Sequence, residues 1–370
     1  MNEAVVIAAA KHFKFSGKFV NYFLSENGHI NNTYFFLYRQ DDGSIKRYIL
    51  QKVNTNVFKN PYQVMENIKN VTEFIKEKLE KSGGDVKRGV LTLVESNDGN
   101  VYYVDEQGDF WRAYFVVEDT VTVSSAESPE KFYKVGYAFG HFQMQLSDFP
   151  AEKLYETIPN FHNTVSRYAD FEAAVLADPM GRVCEIEDEI NFVRQRHNIC
   201  SFIMDGIESG KFPLRVTHND TKMDNILVDR ETGEGVCVID LDTVMPGSVL
   251  NDFGDAIRFG ASSAAEDETD LDEVFVDVKM FEGFARGFIK GLENSLNEDE
   301  LKALPMGAVI LTFETGMRFL TDYINGDVYF RIHREHHNLD RARNQFKLVE
   351  DMEMKMPKLN KIIKNIMAGK

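Results

Sequence analysis

Cysteine is scarce in this chain, and its placement argues against two kinds of stabilised site. The 370 residues contain three cysteines, Cys184, Cys200 and Cys237. Their number is odd and no Cys-x-x-Cys spacing occurs, so the sequence indicates neither a disulfide framework nor a zinc site. We expect three buried thiols in a reducing compartment.

Long apolar runs and an N-terminal cluster of positive charge are also missing. No hydrophobic stretch approaches the roughly 20 residues that a membrane-spanning helix needs. The N-terminus has a short apolar run, but Glu3 stands where a secretory signal would carry positive charge. The sequence therefore predicts no membrane partner and a cytoplasmic location.

Positive charge is in the minority. Lys and Arg together number 42 against 59 Asp and Glu, which gives a formal net charge of −17. A nucleic-acid backbone needs a basic face for phosphate neutralisation, so this charge argues against nucleic acid as a partner. Internal repeats and low-complexity tracts are absent as well. The oligomeric state is left open.

The first part of the chain has the pattern of a small, strand-rich lobe. A helix is predicted to begin at Asn60-Pro61 and to end at Gly83-Gly84, since these are start and stop signals. Short alternating or apolar segments bounded by turn residues predict strands around it. The predicted strands cover residues 18–24, 32–38, 47–51, 89–95, 101–105 and 109–117.

The remainder of the chain has a different pattern. A polar hinge over residues 119–128 follows Glu118. Beyond it, helical periodicity predominates, for example over residues 129–146, 185–207 and 272–292. The sequence therefore predicts an α+β protein with two domains. A small antiparallel-sheet lobe with one long helix covers residues 1–118, and a larger, mostly helical lobe covers residues 119–370.

One short motif carries the chemistry. The spacing is His218-x-Asp220-x₄-Asn225, and two β-branched runs around a turn at residues 229–235 then predict a hairpin that ends at Asp240. The outer ends of a hairpin meet, so Asp220, Asn225 and Asp240 are predicted to form one cluster of oxygen ligands. Mg²⁺ prefers such donors and usually keeps phosphates among its ligands. The alternative is that the spacing arose by chance.

The cluster has the parts that phosphoryl transfer requires. These are a carboxylate facing the acceptor hydroxyl, for which Asp220 is the candidate, and an Asn and an Asp that hold metal, here Asn225 and Asp240. The segment resembles the catalytic loop of the eukaryotic-type kinase fold. In that resemblance, Lys222 occupies a position that can neutralise charge on the transferring phosphoryl group. The order of strands and helix in residues 1–118 also resembles a kinase small lobe.

Residues for contact with ATP are marked less sharply. The turn at residues 27–32 sits where nucleotide-binding kinases place a glycine-rich loop, which makes Gly28 and Asn32 candidates. It contains a single glycine, and a plain β-turn is the alternative. Glu118, at the end of the small lobe, is a further candidate for contact with the nucleotide.

The strand lysine of kinases has no clear counterpart. Gln51 falls at about its position, and Lys52 is the neighbour. Successive side chains of a strand face opposite ways, so only one of the two can point at the nucleotide. Gln51 is the candidate for cofactor binding. Glu66 on the long helix is a candidate ion-pair partner, and an exposed helix glutamate is the alternative.

Two later groups of charged residues stand out. Asp252 and Asp255 resemble the aspartates that support the catalytic loop in small-molecule kinases of the aminoglycoside-phosphotransferase type. Glu314, Arg318 and Asp322 are spaced by four on an apolar helix, which predicts mutual salt bridges on one face. A functional role is the alternative, because buried charge is costly unless it is paired.

Several segments carry a more specific resemblance. They are residues 28–34, 48–51, 53–58, 215–222, 239–247, 252–262 and 317–323. Through them, most of the chain resembles the N-acetylhexosamine 1-kinases, which belong to the aminoglycoside-phosphotransferase and choline-kinase-like branch of the kinase fold. The resemblance implies ATP- and Mg²⁺-dependent phosphorylation of GlcNAc or GalNAc at the anomeric hydroxyl, with Asp220 as the base.

The same resemblance implies that Asp242, Arg318 and Tyr329 contact the sugar. From spacing alone, Asp242 is equally suited to capping the following turn. Two other functions remain open: a kinase of another small alcohol or amine, such as choline or an aminoglycoside, and an inactive nucleotide-binding module. The choice between GlcNAc and GalNAc is open too, because it depends on the orientation of one hydroxyl.

Overall fold

The small lobe is an antiparallel sheet with helices packed against it. A computed structural model describes residues 3–25 and 30–369 of the chain. The sheet has five strands in the order β1-β2-β3-β5-β4. The elements of this lobe are α1 (Glu3–Ala10), β1 (Lys18–Leu24), β2 (Asn32–Arg39), β3 (Ile45–Lys52), α2 (Pro61–Ser82), α3 (Val86–Gly89), β4 (Tyr103–Val104) and β5 (Phe110–Phe115).

Helix α2 begins and ends where the sequence predicts. The Asn60 side chain caps its start by accepting a hydrogen bond from the backbone N–H of Gln63, and Pro61 occupies the first turn. Gly83 ends the helix with φ = 73°, a left-handed conformation that glycine adopts without strain. The apolar face of α2 is buried against the core.

Two expectations for the small lobe are wrong in detail. Residues 89–95 do not form a strand, and only Leu93 bridges to Tyr114. The segment makes two backbone hydrogen bonds to β5, from Val94 N–H to Ala113 and from Phe115 N–H to Thr92, and its apolar residues pack into the core. Helix α1 was not expected from the short apolar run at the N-terminus, and it packs with the sheet in a second cluster of buried residues.

The large lobe is mostly helical. Its helices are α4 (Pro129–Gln145), α5 (Thr164–Ala177), α6 (Glu187–Gln195), α7 (Phe202–Glu208), α8 (Val249–Gly260), α9 (Val278–Gly291), α10 (Glu298–Ile324) and α11 (His337–Met367). Its short strands are β6 (Thr120–Thr122), β7 (Arg215–Thr217), β8 (Ile226–Asp229), β9 (Gly235–Val238) and β10 (Met245–Gly247). The single helix predicted over residues 185–207 is instead two helices, α6 and α7, and α9 begins later than predicted.

Helices α4 and α9 pack unusually closely because glycines line their contact. A Cβ atom on Gly287 would meet the backbone carbonyl of Tyr133, and one on Gly140 would meet that of Phe288. The aromatic stripe of α4 is buried, as expected of core residues: Phe132, for example, is 0% exposed. Gly235 of β9 lies against Ala138 of α4, and Phe253 of α8 packs against Phe284 of α9.

The predicted hairpin is present. Strands β8 and β9 pair antiparallel, with Ile226 opposite Val238. The backbone N–H of Ile239 donates to the carbonyl of Asn225 over 2.9 Å, which draws the two outer ends together. Strand β6 adds to β8 as a third strand. The domain boundary after residue 118 stays a prediction.

Two expectations from composition concern the burial of the cysteines and the presence of membrane-spanning helices. Cys200 and Cys237 are buried, but Cys184 is exposed, so the prediction of three buried thiols is wrong for one of them. Helix by helix, no described part of the chain is both long and apolar enough to cross a membrane.

Candidate active site

The catalytic loop is anchored first through His218. Its buried ring bonds through Nε2 to the carbonyl of Ile239 over 2.9 Å, and its Nδ1 accepts from the backbone N–H of Asp220 over 3.3 Å. A carbonyl only accepts and an N–H only donates, so the proton lies on Nε2. His218 thereby ties the position of Asp220 to the chain just before Asp240.

Two buried carboxylates hold the same loop by accepting hydrogen bonds from its backbone. Asp252 accepts the backbone N–H groups of His218 and Asn219, at 2.9 and 2.7 Å. Asp255 accepts the N–H of Thr221 at 2.9 Å. Burial alone would raise the pKa of Asp255, but the charges of Arg258 and Lys222 hold it below its usual value. The expected support of the loop by these aspartates is present.

Asp220, Lys222 and Asn225 meet in the loop. The Nδ2 of Asn225 donates to the backbone carbonyl of Asp220 at 2.8 Å and to its Oδ2 at 3.1 Å. Lys222 Nζ lies 3.1 Å from the other oxygen, Oδ1. Burial would lower the pKa of Lys222, but Asp220 and Asp255 outweigh it and raise that pKa, so the ammonium is charged at neutral pH. The preceding residue, Asn219, has φ = 64°, a conformation that asparagine tolerates better than most residues.

Asp240 stands at the end of the hairpin, facing this group. Its side chain is accessible to solvent although protein atoms surround it, and its backbone is left-handed with φ = 58°. Crowding by these atoms and the negative charges of Asp242 and Asp220 raise the pKa of Asp240 to about 7. A cation bound beside it would remove that penalty.

The donor set fits a hard divalent ion that keeps phosphate or water among its ligands. Nδ2 of Asn225 is bonded to Asp220, which leaves its Oδ1 for a metal, and Asp240 supplies a carboxylate. In residues 3–25 and 30–369, no group of three or more His, Cys, Asp and Glu side chains makes a metal site alone. Mg²⁺ is commonly bound by one or two protein groups plus substrate phosphates, so the arrangement suits it.

Asp242 is turned toward the small lobe. It is 4% exposed and pairs with Arg112 of β5 through Oδ1. Its Oδ2 accepts from Nδ2 of Asn31 at 2.6 Å. Arg112 also donates through Nε to Oε1 of Gln51 at 2.9 Å. The structure therefore places the carboxylate of Asp242 between the lobes and does not bring it to Arg318.

The strand pairing settles which way Gln51 and Lys52 face. Gln51 lies opposite Thr33 and Arg112 and shares their side of the sheet, which is the side of Asp242. Lys52 faces the other way and pairs with Asp109. Asn32 is opposite Lys52, so its side chain is not brought to the cluster.

Gly28, one of the remaining small-lobe candidates, is outside the described residues. The others, Glu118 and Glu66, lie apart from the cluster. The carboxylate of Glu118 is paired with Arg47, and both side chains are partly exposed. Glu66 is exposed on α2, in agreement with the alternative of a plain surface residue. The neighbouring Asn67 is buried instead, and its Nδ2 donates to the carbonyls of Tyr155 and Val244 in the large lobe.

Arg318 and Tyr329 come together at a separate cleft of about 470 Å³ between α5 and α10. The guanidinium of Arg318 lies over the rings of Tyr329 and Phe330. Arg167 lines the same cleft, and its pKa is lowered by burial and by the charge of Arg318. Asp220, Asn225 and Asp240 are not among the residues that line this cleft.

The predicted salt bridges along α10 are wrong. Glu314 accepts from Nδ1 of His162 at 2.8 Å and from Thr164 at 2.6 Å. Asp322 accepts backbone N–H groups of residues 328–330 and the amide of Asn338. Glu314 is therefore bonded to residues just before and at the start of α5, whereas Asp322 is bonded to the segment after α10 and to α11. The contact between His162 Nε2 and the carbonyl of Asn219, at 3.4 Å, links α10 to the catalytic loop.

Sequence reasoning missed Arg112 and Asn31. One signal was available for Arg112, since it is the single charged residue in the aromatic strand Phe110–Phe115. A lone charge in such a strand must find a partner or be excluded from the core. Asn31 had no comparable signal, because its partner lies 211 residues away in the sequence.

The whole chain is similar in fold to solved phosphotransferases. An aminoglycoside phosphotransferase from Alicyclobacillus acidocaldarius matches with a TM-score of 0.59 at 10% identity, over 99% of this chain and 97% of that one. An amicoumacin kinase, solved with AMP-PNP, Ca²⁺ and Ami, matches with a TM-score of 0.57 at 15% identity, over 96% and 94% of the two chains. The ethanolamine kinase of Plasmodium vivax matches at 0.50 and 13%, over 88% and 82%.

The architecture is therefore the two-lobed kinase-like fold that the sequence predicts. A family model described as "Phosphotransferase enzyme family" matches residues 26–278, which is more than half of the chain. That match covers the small lobe from β2 onward, the catalytic loop, the hairpin and Asp255. On this ground the chain belongs to the phosphotransferase enzyme family, whose activity is the transfer of a phosphoryl group to a small-molecule hydroxyl.

Proposed function

We propose that this protein transfers the γ-phosphoryl group of ATP to the anomeric hydroxyl of an N-acetylhexosamine, in a reaction that requires Mg²⁺. The observation that carries the proposal is the convergence of Asp220, Lys222, Asn225 and Asp240 at one end of the β8–β9 hairpin. The amicoumacin kinase solved with AMP-PNP and Ca²⁺ supports a nucleotide as the donor.

Each group of the cluster has a defined task. Asp220 accepts or orients the proton of the acceptor hydroxyl. Lys222 is charged beside it and offsets negative charge that builds up on the transferring group. Asn225 and Asp240 are the residues that would hold Mg²⁺, and the bound ion neutralises charge on the phosphate oxygens. His218, Asp252 and Asp255 keep the loop in place while this happens.

An anomeric hydroxyl is a suitable acceptor for such a site. It is more acidic than the other hydroxyls of the sugar, because the ring oxygen withdraws electron density from its carbon. Asp220 is a weak base, so it gains most from an acceptor whose proton is already loosened. Arg318 only donates hydrogen bonds, which suits ring hydroxyls and the carbonyl of an acetamido group. Tyr329 offers an exposed ring beside it.

The lining of the cleft carries balanced charge, which suits a neutral acceptor. Arg167 and Arg318 line it together with Asp170 and Asp322. Arg167 lies 3.8 Å from Asp170, and Asp322 accepts the backbone N–H groups of residues 328–330. The cleft therefore has no surplus negative charge for the ammonium of choline or ethanolamine, and a sugar is the better candidate, although an ethanolamine kinase shares the fold.

A substrate panel tests the proposed acceptor class. ADP release with Mg²⁺ and ATP is measured with GlcNAc, GalNAc, glucose, choline, ethanolamine and an aminoglycoside. We expect the N-acetylhexosamines to give the highest kcat/KM. Arg318→Ala should lower kcat/KM for the sugar at least about tenfold, the low end for unpairing a polar group in such a site, and leave the KM for ATP unchanged.

Arg331→Ala is the matched control, since Arg331 is an exposed arginine near the cleft that does not line it. Its sugar kinetics should equal those of the wild type. Preferential turnover of an amine, or an Arg318→Ala enzyme with normal sugar kinetics, would overturn the proposed acceptor site and leave phosphoryl transfer itself standing.

A further inference from the structure

The small lobe lacks a lysine at the place where kinases use one. A kinase lysine on the third strand binds the nucleotide phosphates and is held by a glutamate on the lobe's helix. Here the strand carries Gln51, and Lys52 points away to Asp109. Glu66 on α2 is exposed, so the usual partner is not in place either. A site that binds a nucleoside triphosphate still needs a cation on the small-lobe side of the cleft.

Arg112 occupies the same place from the next strand. In the pairing of β3 with β5 it lies directly opposite Gln51, so the two side chains share one face of the sheet. Its Nε donates to Oε1 of Gln51 at 2.9 Å. Gln51 itself is oriented by its Nε2, which donates to Oγ1 of Thr33 at 3.0 Å. Arg112 on β5 therefore places a cation beside Gln51, the uncharged residue that β3 has at this position.

The partner of Arg112 comes from the metal-binding segment. The guanidinium pairs with Oδ1 of Asp242, and both side chains are almost fully buried, at 1% and 4% exposure. Asp242 is two residues from Asp240, so Arg112 lies beside the residues assigned to metal and phosphate chemistry. A buried charge persists only when it is paired, and this pair spans the two lobes.

The geometry of a guanidinium suits phosphate. It presents five N–H donors in a planar fork that matches phosphate oxygens. Within the described part of the chain, Gln51 and Asp242 account for two of these donors. The remaining N–H groups donate to no other described residue, so they are the donors that a phosphate entering between the lobes would take up. Lys52, on the opposite face, cannot provide this contact.

We propose that Arg112 is the small-lobe cation that binds the phosphates of the nucleotide, and that Asp242 is the carboxylate that holds it in position. The Arg112–Asp242 pair thus replaces the strand lysine and helix glutamate of kinases. Because Asp242 belongs to the large lobe, the pair also joins phosphate binding to the contact between the lobes. This inference rests on the proposed use of ATP.

The test compares a ligand with phosphates to one without. Binding of ADP with Mg²⁺ is measured by isothermal titration calorimetry, and binding of adenosine by ligand-observed NMR. Arg112→Gln should weaken ADP about 10- to 100-fold, the range for losing a charge-assisted hydrogen bond, and leave adenosine unchanged. Arg112→Lys keeps the charge and should recover part of the loss. Lys52→Gln is the matched control, and both ligands should bind to it as to the wild type.

Arg112→Gln leaves Asp242 buried without its partner and could misfold for that reason. A second variant separates misfolding from loss of phosphate binding. Arg112→Gln/Asp242→Asn removes both charges, and it should show the same selective loss of ADP binding. If either folded variant binds ADP within about twofold of the wild type, or loses adenosine as strongly as ADP, the inference is wrong. If the wild-type protein binds no nucleotide, the proposed function itself is wrong.

Discussion

At the scale of single residues, Asp220 is the group on which we expect turnover to depend most. Asn225 and Lys222 hold its two oxygens, and its backbone N–H is fixed by His218. The carboxylate therefore has a defined orientation before any acceptor arrives. In the proposed reaction this base acts in the chemical step, whereas other groups bind the nucleotide.

Replacing Asp220 with Asn keeps its shape and removes the base. General-base catalysis contributes about 10²–10⁴-fold, so kcat of Asp220→Asn should fall at least about 100-fold. The affinity for ADP, measured by calorimetry, should stay near the wild-type value. Asp224→Asn is the matched control, an exposed aspartate of the same loop, and should be fully active. Near-normal turnover of folded Asp220→Asn would show that Asp220 is not the general base.

Residue spacing was enough to predict the catalytic cluster, because its members are joined by one local hairpin. Alternation along β3 also predicted that Gln51 and Lys52 face opposite ways. It could not predict that Arg112 takes the place beside Gln51, since strand pairing connects residues far apart in the sequence. The same limit applies to Asp242, whose partners Arg112 and Asn31 lie in the other lobe.

At the scale of secondary-structure elements, the start and stop signals of α2 were reliable and apolar runs were not. Asn60, Pro61 and Gly83 act through local geometry, which the sequence contains in full. Residues 89–95 are apolar like a strand, but they form a single bridge, between Leu93 and Tyr114, and no regular strand. Whether such a segment joins a sheet is decided by tertiary packing, which a local pattern does not report.

The contact between α4 and α9 gives an element-scale prediction. Gly287→Ala places a methyl group against the backbone of Tyr133 and Tyr137, which cannot move aside as a side chain does. Overpacking typically costs about 1–3 kcal/mol, and we expect the upper half of that range for the free energy of unfolding. Urea denaturation measures it. Arg286→Ala, an exposed neighbour on α9, should change stability by less than about 0.5 kcal/mol. Equal stability of the two variants would contradict this packing.

At the scale of the whole molecule, several side-chain contacts join the two lobes. Asn67 of α2 bonds to the backbone of Tyr155 and Val244, and Asp242 bonds to Asn31 and Arg112. Strand β6 continues the chain from the small lobe into the sheet of the hairpin. Composition and element order predicted the two lobes, but no sequence pattern indicated these contacts, because each joins residues that are distant along the chain.

We propose that this site phosphorylates the anomeric hydroxyl of an N-acetylhexosamine. The most direct test is ¹H–³¹P NMR of the product formed from GlcNAc, ATP and Mg²⁺, with EDTA and Asp220→Asn as controls. We predict a phosphate coupled to the anomeric proton with the wild-type enzyme, and no comparable product in either control. A phosphate coupled to the C6 protons, or product formed equally well in EDTA, would contradict the account.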